Sequence, residues 1–379
     1  MLNFLKTGLI LSLIVTLSAC QTSRIEKKPS ESTEKEEEIV KGVSASYQVA
    51  LLLPLSGQNA ALGKSLRQAA EMSLFDGADV NLRLLPLDTK GTPAGTQEAT
   101  KIALSKDVDI ILGPVFSQNA QAMKPLLQAS RVPVVTYSTD LSLAEPGFFV
   151  FGFDVIEQIR AIMHYAIGKD ITSIVAILPN NQYGSIVEKE LQTLSSMGHL
   201  TMRKILKYES VDRDFAEIAA EIKASDAQGL FIPEGGTALR SILASLRHHD
   251  VDLKKYQLLG TGQWDSPQVL QIRDAEDGWF ANPSMGDRIT FEGRYSQTYG
   301  HMPHRLASLA YDSVSMVAAL ARSHKENPFT IDSMTQSHGF VGVDGLFRIL
   351  PGGDTQRSLA IFQIENSSLK TLQDASQSF

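Results

Sequence analysis

One apolar stretch, residues 48–57, constrains the fold of this chain more than any other. It reads Gln-Val-Ala-Leu-Leu-Leu-Pro-Leu-Ser-Gly, and such a continuous apolar run is typical of a strand buried on both faces of a parallel sheet. A helical pattern follows the turn, with leucine or alanine every four residues from Leu62 to Leu74. Ser56 and Gly57 are therefore expected at the carboxyl end of a strand, just before a helix, where open α/β sheets bind ligands.

Strand and helix patterns alternate from Tyr47 onwards, in two successive sets. The first set ends in an apolar segment at Phe148–Phe153, and the second begins with a helical pattern near Glu157 and a strand at Ser173–Leu178. Repeated strand-then-helix units predict parallel sheets with helices on both faces, so we expect an α/β fold of two similar, Rossmann-like lobes. Towards the C-terminus, residues 346–349 and 359–364 are predicted to form a hairpin-like β extension.

The first twenty residues indicate export. An apolar run follows Lys6, but it is too short and too interrupted to predict a membrane span. Leu17-Ser18-Ala19-Cys20 resembles the lipobox of bacterial lipoproteins, which implies cleavage before Cys20 and lipid attachment to it. Gln21, in place of Asp, favours outer-membrane sorting in that pattern. The alternative is an ordinary secretory signal with an incidental cysteine.

Residues 20–46 are predicted to be a lipidated cysteine followed by a tether. From position 21 on they are rich in Glu, Lys and Ser and contain no aromatic residue, so they cannot bury enough apolar area to offset their conformational entropy. As a flexible coil they would reach on the order of 25–30 Å. Because Cys20 is the only cysteine, neither a disulfide within the chain nor a cysteine metal site is expected. The net charge of −7 provides no basic surface for nucleic acid.

Small or polar side chains follow several of the predicted strands. Each alone is explained by ordinary loop composition or helix capping, but together they would converge on one cleft between two α/β lobes. The expected ligand contacts are Ser56, Ser117, Ser138, Thr139, Tyr183, Glu234, Gln263 and Trp264.

The sequence offers little support for an enzyme. Gly57 and Gly63-Lys64-Ser65 nearly match the phosphate-binding loop, but five residues separate the glycines instead of four, and the geometry of that loop depends on the spacing. Neither a nucleophile-elbow motif nor a zinc-protease motif is present. His301 and His304 have no evident third ligand and are expected in a solvated loop. We therefore expect no catalytic residue, no metal and no cofactor.

The order of several short motifs resembles the type I periplasmic binding proteins of the leucine/isoleucine/valine class. The resemblance covers about residues 47–365 and rests on Pro54-Leu55-Ser56-Gly57, Gly113-Pro114-Val115-Phe116-Ser117, Val134 to Ser138, Tyr183-Gly184 and Ala310-Tyr311-Asp312. It implies two lobes joined by three crossovers, closing on a small ligand in the cleft between them. It also implies that hydroxyl and N–H groups at Ser117, Ser138 and Thr139 hold a ligand carboxylate, with Tyr183 closing over it.

One loop departs from that class. Many of its amino-acid receptors place an acidic residue after the strand that matches Gln257–Leu259, to bind the ligand ammonium, whereas this chain has Gly-Thr-Gly-Gln-Trp-Asp. Asp265 or Glu234 could substitute. The lipobox, the tether, this loop and residues 339–348 look more like the lipoproteins known as penicillin-binding-protein activators, which use the same fold to engage bifunctional peptidoglycan synthases.

Two functions follow as hypotheses. The first is a non-catalytic, lipid-anchored periplasmic module that activates a peptidoglycan synthase, at the outer membrane and with a ligand cleft. The alternative is a solute-binding lipoprotein that delivers an amino acid or small polar metabolite to an ABC permease. The expected organisation is a signal peptide (1–19), a lipidated cysteine and tether (20–46), a first lobe (47–158 plus 284–335) and a second lobe (159–283 plus 336–379).

Overall fold

The structure, a computed structural model, describes residues 46–77, 79–323 and 326–379. The predicted signal peptide, Cys20 and almost all of the tether lie outside the described residues. Within those residues, no helix is long and apolar enough to cross a membrane. The helices are α1 (Ala60–Asp76), α2 (Pro93–Ser105), α3 (Ser117–Leu127), α4 (Val155–Ile167), α5 (Gln182–Ser196), α6 (Ala216–Ala224), α7 (Gly236–His248), α8 (Pro267–Leu270), α9 (Gly286–Tyr299), α10 (Ala307–Ser323) and α11 (Ile331–Met334).

The apolar stretch that opens the fold forms the second strand of a five-stranded parallel sheet. In order across the sheet, its strands are β2 (Leu82–Asp88), β1 (Tyr47–Leu53), β3 (Ile110–Leu112), β4 (Val134–Thr136) and β5 (Phe148–Val150). Side chains of β1 alternate between two cores. Val49, Leu51 and Leu53 pack with α1 and α10, while Ala50 and Leu52 pack with α2 and α3, because successive side chains of a strand point to opposite faces.

A second sheet of seven strands repeats this arrangement. Its order is β15 (Ser368–Gln373), β14 (Leu359–Glu365), β10 (Trp279–Pro283), β9 (Gln257–Gly260), β8 (Gly229–Phe231), β6 (Ser173–Pro179) and β7 (Thr201–Tyr208). The strands from β10 to β7 are parallel, and β14 and β15 add an antiparallel edge. The predicted α/β architecture of two lobes with parallel sheets is confirmed.

Both lobes use a glycine to seat a helix against the end of its strand. A Cβ atom on Gly63 of α1 would lie 2.0 Å from the Pro54 carbonyl oxygen, and one on Gly184 of α5 would lie 1.9 Å from that of Pro179. Only a residue without a Cβ fits such an approach to backbone. In the second lobe this contact fixes the adjacent Tyr183 at the carboxyl end of β6.

The predicted C-terminal hairpin is wrong. Residues 346–349 pair with β13 (Thr355–Arg357) and β11 (Phe340–Gly342), so that β12 (Gly345–Ile349) is the centre of a small third sheet. Strand β14 pairs instead with β10 and β15 of the seven-stranded sheet. The turn after Ile349 closes a hairpin with β13, and the chain then leaves for the other lobe.

The chain passes between the two sheets three times. It crosses after β5, before α4 begins at Val155; after β10, before α9 begins at Gly286; and between Arg357 and Leu359. The third crossing is not at residue 335, as the sequence suggested, because Val343, Phe347 and Ile349 pack into the core of the first sheet. We therefore call residues 46–150 and 286–357 lobe 1, and residues 155–283 and 359–379 lobe 2.

Candidate functional site

Ser56 is part of a closed turn at the end of β1. Its hydroxyl donates to Asp88 Oδ2 at 2.6 Å. Asp88 Oδ1 accepts from the backbone N–H groups of Leu55, Ser56 and Lys90 at 2.8–3.2 Å. Burial opposes ionisation of Asp88, but these hydrogen bonds outweigh it and lower its pKa. The Ser56 hydroxyl thus already joins the turn after β1 to the end of β2. Asp88 is a residue of this edge that the sequence did not single out.

The N-terminus of α3 offers hydrogen-bond donors. Ser117 is its first residue, and the preceding Phe116 provides no side-chain cap, so the first-turn N–H groups have no partner within the helix. Asn119 lies in the same turn, is 2% exposed, and its Nδ2 has no hydrogen-bond partner among the described residues. Donors at a helix N-terminus favour an anion.

The loop after β4 lies against the first crossover. The Ser138 carbonyl accepts from Gly152 N at 3.0 Å, and a Cβ atom at Gly152 would come within 2.4 Å of that oxygen. The Ser138 hydroxyl is buried and accepts from Asp140 N at 3.1 Å, and it donates to no acceptor among the described residues. Thr139 is exposed. A change in the conformation of this loop would therefore alter the packing of the first crossover directly.

In lobe 2, three strand ends meet through Tyr183, Pro233 and Gln263. The Tyr183 hydroxyl donates to the Pro233 carbonyl at 3.0 Å, and Gln263 Nε2 donates to both of these oxygens, at 2.9 and 3.1 Å. Burial raises the pKa of Tyr183 to about 12, so it remains a neutral phenol. Gln263 Oε1 has no such bond among the described residues.

Glu234 lies beside this cluster and is paired with a tyrosine that the sequence did not single out. The Tyr208 hydroxyl donates to Glu234 Oε1 at 2.6 Å, and burial together with that carboxylate raises the pKa of Tyr208. Glu234 is half-buried, and its second carboxylate oxygen accepts no hydrogen bond from the described residues. Glu234 thus presents a free acceptor at the carboxyl edge of the lobe 2 sheet.

Trp264 is a core residue and presents no surface to a ligand. Its side chain is completely buried, and its Nε1 donates to the Ile232 carbonyl at 3.1 Å. The ring occupies space left by two glycines, since a Cβ atom on Gly260 or Gly278 would lie 2.2 or 2.5 Å from it. The expectation that Trp264 contacts ligand is therefore corrected, and Trp264 has no place in the candidate site.

Asp265, one of the two acids that could substitute for the missing ammonium ligand, is already engaged. It is 9% exposed and pairs with Arg288 at the start of α9, while Asn282 Nδ2 donates to it at 2.7 Å. Arg305 Nε approaches it at 3.8 Å and forms a two-pronged ion pair with the buried Asp344 at 2.8 and 3.2 Å. All of these contacts to Asp265 are made through Oδ2, and they include an arginine, whereas the one side-chain partner of Glu234 among the described residues is Tyr208.

The structure therefore brings six of the eight expected contacts together in two groups, one on each lobe. Ser117, Ser138 and Thr139 lie at the carboxyl edge of the first sheet, and Tyr183, Glu234 and Gln263 at that of the second. Among the described residues, no hydrogen bond joins the two groups, and no cluster of three or more His, Cys, Asp or Glu could hold a metal ion.

A surface groove of about 720 Å³ lies elsewhere, at the amino ends of the lobe 1 strands. Its lining includes Tyr47, Arg131, Phe148 and Phe329. Because open α/β sheets bind ligands at the carboxyl ends of their strands, we place the candidate site at the other edge, despite the volume of this groove.

Comparison with known proteins gives the family. Residues 46–368 match the family described as periplasmic binding protein. An uncharacterised protein of Rickettsia prowazekii is 23% identical over 338 residues, which span 86% of this chain and 88% of that protein. The Leu/Ile/Val-binding protein homolog 6 of Brucella melitensis is 23% identical over 214 residues, which span 52% of this chain and 54% of that protein.

Solved structures share the fold at low identity. A branched-chain amino acid ABC transporter periplasmic ligand-binding protein of Burkholderia xenovorans has a TM-score of 0.72 at 16% identity, covering 87% of this chain and 94% of that one. LivJ of Streptococcus pneumoniae, in complex with isoleucine, has a TM-score of 0.63 at 18% identity, covering 88% and 100%. A solute-binding protein of Rhodopseudomonas palustris, in complex with 3,4-dihydroxybenzoic acid, has a TM-score of 0.65 at 18% identity, covering 87% and 96%. Because the family match spans most of its length, this chain belongs to the periplasmic binding protein family.

Proposed function

We propose that this protein binds a small polar ligand between its two lobes, outside the cytoplasm, with an anionic group held by lobe 1 and a cationic or hydrogen-bond-donating group held by lobe 2. The observation that supports this proposal is that the strand ends of the two lobes present opposite hydrogen-bonding groups. We call these two sets of residues the lobe 1 wall and the lobe 2 wall. Around Ser117 and Ser138, lobe 1 offers donors, and around Glu234, lobe 2 offers acceptors. A ligand with opposite polarity at its two ends satisfies both.

The donors of lobe 1 favour a carboxylate. The Ser117 hydroxyl, the uncapped first turn of α3 and the buried Asn119 amide all lie at one helix N-terminus, where a negative charge is stabilised by the helix dipole. The Ser138 proton is a further donor on the neighbouring strand. An anion bound there would satisfy the buried Asn119 donor, which is otherwise costly to leave unpaired.

The acceptors of lobe 2 favour an amine or a hydroxyl group. Gln263 uses its amide nitrogen on Tyr183 and Pro233, and the Tyr183 proton is used on Pro233. The atoms left for a ligand are Gln263 Oε1 and one oxygen of Glu234. The ligand would favour the closed state of the lobes in proportion to its greater affinity for that state.

Delivery to an ABC permease is the role we propose for the bound form. The family match and the ligand-binding solved relatives support it, and those relatives are binding proteins, not enzymes. They bind different compounds within one fold, so the identity of the ligand has to be measured.

A thermal-shift screen of the full chain tests binding. The panel comprises the amino acids, small peptides, aromatic acids and peptidoglycan fragments. A ligand at 100 times its dissociation constant should add about 2.7 kcal/mol to the free energy of unfolding, because it binds the folded state alone. Glu234→Gln should abolish the response, while Glu221→Gln, which changes a surface acid paired with Lys204, should keep it. A hit that both variants retain would contradict the proposed lobe 2 contact.

A second candidate is activation of a bifunctional peptidoglycan synthase. The observation that favours it is that Asp265, the acid of the 260–265 loop, is paired with Arg288 and Asn282, which makes it a poorer partner for a ligand ammonium. This hypothesis predicts that crosslinking of intact envelopes joins the protein to a peptidoglycan synthase. Repeated absence of any synthase from the crosslinked species would count against it.

We also propose that Cys20 carries the lipid anchor and that the anchor lies in the outer membrane. The support is the Leu-Ser-Ala-Cys sequence followed by Gln21. Cys20→Ser should move the protein from the membrane fraction to the soluble fraction, because a protein without its acyl chains loses their hydrophobic contribution to membrane binding. Density separation of the two membranes then locates the unchanged protein. Full membrane retention of the Cys20→Ser protein would exclude lipid anchoring at this position.

A further inference from the structure

The loop formed by residues 260–265 carries a ligand-facing residue and two contacts to segments at the crossovers. Gln263 belongs to the lobe 2 wall. The Gly262 N–H donates to Gln158 Oε1 at 2.8 Å, in the first turns of α4 just after the first crossover. At its other end, Asp265 pairs with Arg288, two residues into α9 after the second crossover. One short loop thus joins a proposed ligand contact to both crossovers.

The ion pairs of Asp265 also span the two lobes. Asp265 belongs to lobe 2, whereas Arg288 and Arg305 belong to lobe 1. Arg288 is 4% exposed, so its pair with Asp265 is screened little by solvent. Arg305 also forms an ion pair with Asp344, which is 0% exposed. The Arg305 guanidinium lies 4.3 Å from the ring centroid of Phe153 on the first crossover.

We propose that Asp265 is a positioning residue that latches the 260–265 loop to lobe 1 and so sets the resting population of interlobe angles. One consequence of the latch rests on the proposed ligand site at Gln263: ligand binding and the angle between the lobes should be coupled. The latch itself concerns the protein without ligand. Rotation of the lobes about the crossovers would change the separation of Asp265 from Arg288 and Arg305, and a buried ion pair separated without new partners is costly.

Distance measurements on the unliganded full chain test the latch. Spin labels are placed by Lys101→Cys on α2 and Lys189→Cys on α5, two exposed positions on different lobes, in a Cys20→Ser background that removes the only native cysteine. Asp265→Asn should broaden the distribution of interlobe distances and move its mean. Asp274→Asn is the matched control, because Asp274 pairs with Arg247 within lobe 2, and it should leave the distribution as in the unchanged protein.

A double-mutant cycle distinguishes loss of the Asp265–Arg288 pair from a general disturbance of the fold. If Asp265 and Arg288 act as one unit, the Asp265→Asn/Arg288→Gln protein should show no larger displacement than either single variant, since coupled residues are non-additive. Arg305→Gln is a further variant in case the substitutions at Asp265 and Arg288 prevent folding, because the Arg305 side chain is 29% exposed. It should displace the distance distribution in the same direction as Asp265→Asn. A folded Asp265→Asn or Arg305→Gln protein with an unchanged distribution would overturn the proposal. Because no ligand is added, that result is independent of whether the proposed ligand site is correct.

Discussion

Trp264→Ala is expected to lower the free energy of unfolding by about 3–5 kcal/mol, the usual cost of truncating a buried aromatic side chain. The whole indole is buried, it packs against Phe280 with ring centroids 6.3 Å apart, and its N–H is bonded to Ile232. Two glycines shape the space around it and offer no side chain to fill the cavity. The loss should appear as a lower urea midpoint in equilibrium unfolding followed by circular dichroism.

The second tryptophan of the chain is a matched control. Trp279 on β10 is only partly buried and makes an edge contact with Tyr165, with centroids 5.2 Å apart. Trp279→Ala should therefore cost clearly less than Trp264→Ala. If the two changes cost the same, or if Trp264→Ala leaves stability intact and removes only ligand binding, the assignment of Trp264 to the core is wrong.

Asp344→Asn is expected to cost about 3 kcal/mol, near the lower end of the range for breaking a buried ion pair. Asp344 is completely buried and forms two hydrogen bonds to Arg305. The neighbouring Asp312, which is also buried, should reduce this loss of stability. Burial and the charge of Asp344 raise the pKa of Asp312 to about 7. Removing the Asp344 charge therefore makes Asp312 easier to ionise. Urea unfolding at neutral pH measures the difference.

The effect of Asp344→Asn should depend on pH in one direction. Burial opposes the charge, but Arg305 outweighs it and lowers the pKa of Asp344 below 3.8. A carboxyl group with a lowered folded-state pKa stabilises the protein above its unfolded pKa and loses that contribution as the pH falls. The gap between the two proteins should therefore be full at neutral pH and shrink below pH 3.8. The exposed pair of Asp79 and Arg322 is the control, since an ion pair in solvent contributes little to stability and Asp79→Asn should cost far less than Asp344→Asn. A loss no larger than that of the control would contradict a buried, stabilising role for Asp344.

The parallel strands of the two sheets could be predicted because each strand has its own apolar pattern within a few consecutive residues. A continuous apolar run such as β1 is typical of a strand buried on both faces, and the pattern recurs along the chain. The third crossover could not be predicted, because β11, β12 and β13 are three to five residues long and their apolar residues suit either lobe. Only the packing of Val343, Phe347 and Ile349 against the first sheet decides where they belong.

The candidate site shows the same division between local and long-range information. Polar residues after strands were visible in the sequence, but their partners were not. Tyr208 lies 26 residues before Glu234, and Arg288 lies 23 residues after Asp265. Trp264 follows a glycine-rich loop that resembles a ligand loop, yet Gly260 and Gly278 together make room for its ring inside the core. These long-range contacts decide that Asp265 is paired with an arginine, whereas Glu234 is paired, among the described residues, with a tyrosine alone.

The most direct test of the proposed function is a calorimetric titration of a ligand found in the thermal-shift screen. The unchanged protein is compared with Glu234→Gln and Ser117→Ala, one change on each wall. Each variant should lose affinity, and Glu234→Gln should lose about 2–5 kcal/mol of binding free energy if Glu234 holds a charged group of the ligand. Unchanged affinity in both variants, with their folding intact, would contradict a ligand held between Ser117 of lobe 1 and Glu234 of lobe 2.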